Sequence, residues 1–132
     1  MNEQELNQKF AEYENKIRQL QEQLRAVDQA IYDMKVISSG VEDLKGKEDE
    51  EILAPIGRGI YVKTKLLSEK LTVDVGSHNF VEKTIDETKD LIKVQREKLE
   101  NVRTDLESKL KAIDSEITQT MKEFQSKQKD NQ

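Results

Sequence analysis

Residues 6–34 read LNQKFAEYENKIRQLQEQLRAVDQAIYDM. Within them Leu6, Phe10, Tyr13, Ile17, Leu20, Leu24, Val27, Ile31 and Met34 fall at spacings of four and three that alternate without a miss. Nine successive apolar heptad positions specify the seam of a coiled coil. Phe10, Ile17, Leu24 and Ile31 take position a, and Leu6, Tyr13, Leu20, Val27 and Met34 take position d. The flanks are mixed, with Lys9, Lys16 and Gln23 at g and Glu14, Gln21 and Asp28 at e. Such flanks suit pairing with another amphipathic helix. A membrane-surface helix would carry Lys and Arg along one polar face.

Asn2 is placed to cap this helix, with Glu5 three residues on as in a capping box. Toward the other end Ser38 takes the next a position and Gly40 follows, before Val41 and Leu44 resume the pattern. A glycine inside a helix costs about 1 kcal/mol relative to alanine, so Gly40 marks a bend or an early stop. The helix is expected to end near Lys45, with Gly46 as its left-handed cap.

A second seam occupies the C-terminal third. Thr84-Ile85-Asp86-Glu87 has the form of a capping box, and Asp86 suits the positive end of the helix. Ile85, Ile92, Leu99, Val102, Leu106, Leu110, Ile113, Ile117, Thr120 and Phe124 mark the seam that follows. Thr88 and Gln95 fill intervening positions, so packing there is expected to be loose or polar. From Val102 to Leu110 two spacings of four occur in a row, a stutter that locally unwinds a supercoil.

The segment between the seams has the period of β-structure. Ile60, Val62 and Leu66 alternate with Tyr61, Lys63 and Lys65, as in a half-buried strand. Leu71, Val73 and Val75 repeat the alternation, and Ile52–Ile56 and Asn79–Val81 supply two more short strands. Gly57-Arg58-Gly59, Ser68-Glu69-Lys70 and Gly76-Ser77-His78 read as turns, giving four strands in two hairpins. The acidic run Glu48–Glu51 reads as a solvated linker, because neighbouring carboxylates there lack the positioned ligand set of a metal site.

Two helices of similar length joined by a compact β unit favour an antiparallel helix pair, with both chain ends at the tip far from the sheet. Parallel pairing of two copies is the competing arrangement. At the tip of the antiparallel form Leu6 and Phe10 come near Met121 and Phe124, and frayed ends leave part of that apolar surface in water. At the other end, four short strands are too few to close a barrel, so backbone groups are left unpaired at open edges. Pairing with the same segment of other chains is the simplest cover, and it predicts an obligate oligomer joined through the β unit.

Composition fits a thin rod. Charged residues make up 37% of the 132 residues and hydrophobic ones 34%, leaving little for a globular core. A net charge of −5 gains nothing from counterion release, so no nucleic acid is expected as partner. There is no cysteine, which excludes disulfides, thiol nucleophiles and Cys-ligated zinc. The one histidine, His78, sits in a turn without a base or ligand set beside it. Gly57-Arg58-Gly59 lacks the third glycine of a dinucleotide fingerprint and the GK[ST] of a P-loop. No catalytic residues, metal and no cofactor are therefore expected, and the chain reads as a non-enzymatic, cytoplasmic protein without membrane contact or signal peptide.

Ile52-Leu53-Ala54-Pro55-Ile56-Gly57-Arg58-Gly59-Ile60-Tyr61-Val62-Lys63, with Val73-Asp74-Val75-Gly76 and Val81-Glu82-Lys83-Thr84, resembles the α-type subunit of prefoldin. The likeness covers nearly the whole chain, and its β-segment motif is the specific part. It implies an α+β fold: one domain over 1–132, with a first coiled-coil helix (1–45), a β-hairpin assembly segment (46–83) and a second coiled-coil helix (84–132). The hairpins would join an intersubunit β-barrel through Ile60, Val62, Leu66, Leu71, Val73 and Val75. By the same resemblance two α-type and four β-type subunits form a hexamer, an ATP-independent holdase. Its coiled-coil tips would hold unfolded client proteins, here through Leu6, Phe10, Met121 and Phe124, and deliver them to a group II chaperonin. The rival readings are a structural or adaptor coiled coil without chaperone activity, and a helical arm that docks RNA, which would need a basic stripe.

Overall fold

The computed structural model describes residues 1–130. Helix α1 (Glu3–Glu42) leads into strands β1 (Glu51–Gly57), β2 (Ile60–Lys65), β3 (Leu71–Asp74) and β4 (Phe80–Lys83), and helix α2 (Ile85–Asp130) follows. These elements divide into two compact units. One combines Met1–Ile31 with α2 from Lys98 onward, and the other is Tyr32–Glu97.

In the first unit Leu6, Tyr13 and Ile31 of α1 are buried, as are Leu106, Ile113 and Thr120 of α2. The three α2 residues lie one heptad apart, so a single stripe of the helix meets the core. Phe10, Ile17, Leu20, Leu24 and Val27 are half-buried beside them, with Leu110, Ile117 and Phe124 across the seam. Two contacts fix the direction. The Tyr13 and Thr120 hydroxyls lie 3.2 Å apart, and Arg103 Nε meets Asp28 Oδ1 at 2.9 Å. Rising numbers on α1 meet falling numbers on α2, so the helices are antiparallel within one chain and the parallel arrangement is set aside.

Val102 departs from the expected seam. It is 46% exposed, and every residue from Glu100 to Asp105 is exposed. The stutter explains this. With Ile85, Ile92, Leu99, Leu106, Ile113 and Thr120 forming one unbroken row of sevens, the companion row changes from three residues after each to four. Val102 belongs to the discontinued row and is left outside.

In the second unit Ile85, Thr88 and Ile92 are buried. The Thr88 hydroxyl donates to the Thr84 carbonyl of its own helix at 2.8 Å, which removes the cost of burying it. Lys89 Nζ donates to Glu42 Oε2 at 2.6 Å, and Lys45 Nζ reaches Asp86 Oδ1 at 2.8 Å. The helix segments are antiparallel here also. Helix α1 passes through Gly40 and ends at Glu42, short of the expected Lys45. The residues from Asp43 onward form turns, and Gly46 takes the left-handed conformation (φ 74°) expected of it.

Both hairpins form as read: β1 pairs with β2, and β3 with β4, each as a separate two-stranded antiparallel sheet. The acidic run is less of a linker than its composition suggests. Asp49 N donates to the Leu66 carbonyl at 2.7 Å and Leu66 N to the Glu50 carbonyl at 3.0 Å, so backbone pairing continues below β1 while the carboxylates stay in water.

Candidate binding surfaces

The first hairpin turns at Gly57-Arg58-Gly59-Ile60. Arg58 (φ 50°) and Gly59 (φ 79°) are both left-handed, the sense that matches the twist of paired strands, and a bulge between Pro55 and Gly57 takes up the extra residue. The second closes in the same sense with Ser77 (φ 50°) and His78 (φ 63°), residues less suited to it than glycine or asparagine. This tip is held by Val75 N to the Asn79 carbonyl, Asn79 N to the Gly76 carbonyl and Gly76 N to Asp74 Oδ1, each 2.9 Å. His78 sits exposed at that turn.

These ribbons display apolar side chains with nothing over them. Ile56, Ile60 and Phe80 are each 60% exposed or more, and Leu53, Tyr61, Val75 and Val81 are exposed as well. Of the six residues expected to mediate assembly, Ile60, Val62 and Val75 are exposed and Leu66, Leu71 and Val73 half-buried. The strand expected to be half-buried from Ile60 to Leu66 is thus open on both faces as far as Lys63, because a two-stranded ribbon has no second layer of its own, while Thr64 and Leu66 are half-buried. Val73 sits opposite Val81, and Ala54 opposite Val62, so apolar pairs line up across each hairpin. Sequence reasoning missed Leu53, Ile56, Phe80 and Val81 as members of this surface. Their strands are too short and too broken by Pro55 and Gly57 for alternation alone to assign a face. Leu67, 79% exposed in the link between the hairpins, carries no periodic signal at all.

Where the helices give way to the hairpins, charge is paired. Glu42 is held below the ordinary carboxylate range chiefly by its hydrogen bond from Lys89, and Asp86 likewise by Lys45. Lys45 is raised in turn by its bond to Asp86. Gly46 N donates to Glu69 Oε1 at 2.9 Å, which ties the cap of α1 to the link between hairpins. The capping box forms in both directions: Glu87 N to Thr84 Oγ1 at 3.1 Å and Thr84 N to Glu87 Oε1 at 3.2 Å, and these bonds lower the Glu87 pKa. A depression of about 410 Å³ lies beside this cluster, lined by Lys45, Glu69, Lys70, Thr84, Ile85 and Asp86. Its Lys45 and Asp86 already neutralise one another.

At the coil end the four residues expected to touch clients differ in availability. Leu6 is 7% exposed and Met121 37%, while Phe10 and Phe124 are half-buried. Leu6 is therefore mostly seam. Sequence reasoning also passed over Tyr32, Val36, Ile37 and Val94, which stand exposed on the helices of the second unit at off-seam positions. Among the described residues no group of three or more His, Cys, Asp or Glu could hold a metal ion, and no helix is long and apolar enough to cross a membrane.

A helix, two separate hairpins and a second helix in one chain is a restrictive combination, and a family model described as prefoldin subunit matches residues 13–130. The chain belongs to the prefoldin family. It is an α-type subunit: prefoldin subunit alpha of Methanopyrus kandleri is 39% identical over 72 residues, 54% of this chain and 45% of that protein. Prefoldin subunit alpha of Thermofilum pendens is 37% identical over 95 residues, 71% of this chain and 69% of that one. The chain thus spans about half the length of the Methanopyrus relative and 57% of the one from Methanobrevibacter smithii. A chain of filamentous PFD from Methanocaldococcus jannaschii, solved by cryo-EM, shares the fold. Its TM-score is 0.79 at 24% identity, covering 89% of this prefoldin subunit and 98% of that chain.

Proposed function

We propose that this prefoldin subunit works as part of an ATP-independent holdase, binding unfolded proteins and passing them to a group II chaperonin in the cytoplasm. The observation that carries the reading is the apolar surface of the two hairpins, left open in a chain of this family. Ile56, Ile60 and Val62 on the first hairpin and Phe80 on the second stand in water at a cost of roughly 25 cal/mol per Å² of apolar area, and burial against other subunits recovers it. Ile60, Val62, Leu66, Leu71, Val73 and Val75 are the proposed assembly residues, with β-type subunits as partners and two α-type and four β-type chains in the particle.

Clients are held at the coil ends by Phe10, Met121 and Phe124, with Leu6 supporting them from the seam. Each end offers little apolar area, so retention of a client relies on several coils engaging it together. No chemistry is asked of the protein beyond binding. The test is suppression of aggregation. The complex purified with its natural partner subunits, without ATP, should slow the aggregation of chemically denatured citrate synthase diluted into buffer. Unchanged aggregation at a several-fold excess of complex would favour an adaptor coiled coil instead.

A further inference from the structure

Thr120 is a buried polar side chain, 5% exposed, in the unit that carries the ends of both helices. Its Oγ1 lies 3.2 Å from the hydroxyl of Tyr13, itself 7% exposed, and either oxygen can donate. Apolar neighbours in a seam accept one another at any heptad offset, whereas a buried hydroxyl pair is satisfied at one offset only. A slip of one heptad would set Tyr13 against Ile113 or Lys127, and Thr120 against Leu20 or Leu6. Both hydroxyls would then be buried without each other. Seam packing gives weak guidance at the stutter, because α2 buries nothing from Glu100 to Asp105 and the Arg103–Asp28 pair that joins it to α1 there is exposed. Thr88, the buried threonine of the second unit, bonds within its own helix and sets no register.

The same pair stands among the proposed client contacts. The Tyr13 ring packs against Phe10 with centroids 6.3 Å apart and planes tilted by 58°, Met121 follows Thr120 directly, and Phe124 lies one turn further on. We infer that the Tyr13–Thr120 hydrogen bond pins the register of the coil end, and that these two are positioning residues for client binding. They keep Phe10, Met121 and Phe124 at one level, so that a client meets one preformed apolar cluster. The positioning role rests on the holdase reading, while the register pin does not.

The test uses the full chain in its assembled complex. Because the chain has no cysteine, E12C and K122C, both at exposed positions, take spin labels at defined sites. The wild type should give one narrow distance, and T120S, which keeps the hydroxyl, should match it. Y13F/T120V keeps both shapes and removes the bond. It should show a second population displaced along the coil by about 10 Å, one heptad of helix rise. Protection of denatured citrate synthase should fall about twofold or more in the same variant, since each misaligned end weakens a multivalent grip. Y13F alone also breaks the bond and leaves the Thr120 hydroxyl without its partner, so it should shift both readouts in the same direction and to a similar extent. An unchanged single distance in Y13F/T120V overturns the register pin. A shifted distance with full client protection overturns the positioning role. A wild-type complex that gives no protection fails the holdase reading, and the distances then decide the pin by themselves.

Discussion

Thr84 and Glu87 show how single residues set this fold. Each side chain satisfies the other's backbone N–H at the start of α2, where no intrahelical acceptor exists. Thr84→Ala should lower stability by about 1 kcal/mol in denaturant titration, with helix content unchanged. Glu42, Asp86 and Glu87 are all held below their ordinary pKa values. What they add to stability is complete above the ordinary carboxylate range and is lost as pH falls through the lowered values. Lys45, raised by Asp86, contributes below the ordinary lysine range and loses its contribution as pH climbs through the raised value. The thermal midpoint should therefore be flat across neutral pH and drop in acid, and Glu87→Gln should shrink that drop. An acid response identical in Glu87→Gln and wild type would contradict the role of the capping box. Leu106 and Val102 make a second contrast, 6% against 46% exposed only one turn apart. Leu106→Ala should cost roughly 2–3 kcal/mol and Val102→Ala no more than about 0.5 kcal/mol in the same assay.

At the scale of elements, the helices were legible because nine heptad positions in a row leave little else for α1 to be. The caps at Asn2 and Thr84 were legible for a local reason, since both bonds span three residues. The exposure of Val102 was not: whether a stutter drops Val102 or shifts the partner depends on the facing helix, which a single stripe does not encode. Alternation placed Ile60 and Val62 on one face correctly as a pattern, but burial of that face is a property of whatever covers it. Asp49 and Glu50 extend the β1–β2 pairing through backbone groups alone, so their side chains gave no sign of it. Of the coil end, the sequence placed Leu6 at position d of the seam, where it is enclosed. It gave no hint that Tyr13 and Thr120 share a bond, since they lie far apart in the chain. The hairpins allow a direct test. Val73 is paired across from Val81, and Val73→Asp places a charge on the proposed assembly surface. Size-exclusion chromatography of the complex should show smaller species with this variant, and a normal elution volume would count against assembly through β3.

For the molecule as a whole, apolar surface is dense and open on the hairpins, scattered along the helices at Tyr32, Val36, Ile37, Val94 and Val102, and sparse and half-covered at the coil end. The dense surface suits permanent burial against other subunits and the sparse one suits reversible contact. Changing Phe10, Met121 and Phe124 together to serine should cut client protection several-fold while the complex keeps its size. A complex that falls apart would mean that these residues serve the seam. The central claim is that the open hairpins join this chain to several β-type subunits, and intact mass of the native complex tests it most directly. Native mass spectrometry of the particle purified from its own cells should give six chains, two of this subunit and four of a smaller coiled-coil partner. A homodimer, or a pairing with one unrelated protein, would contradict it.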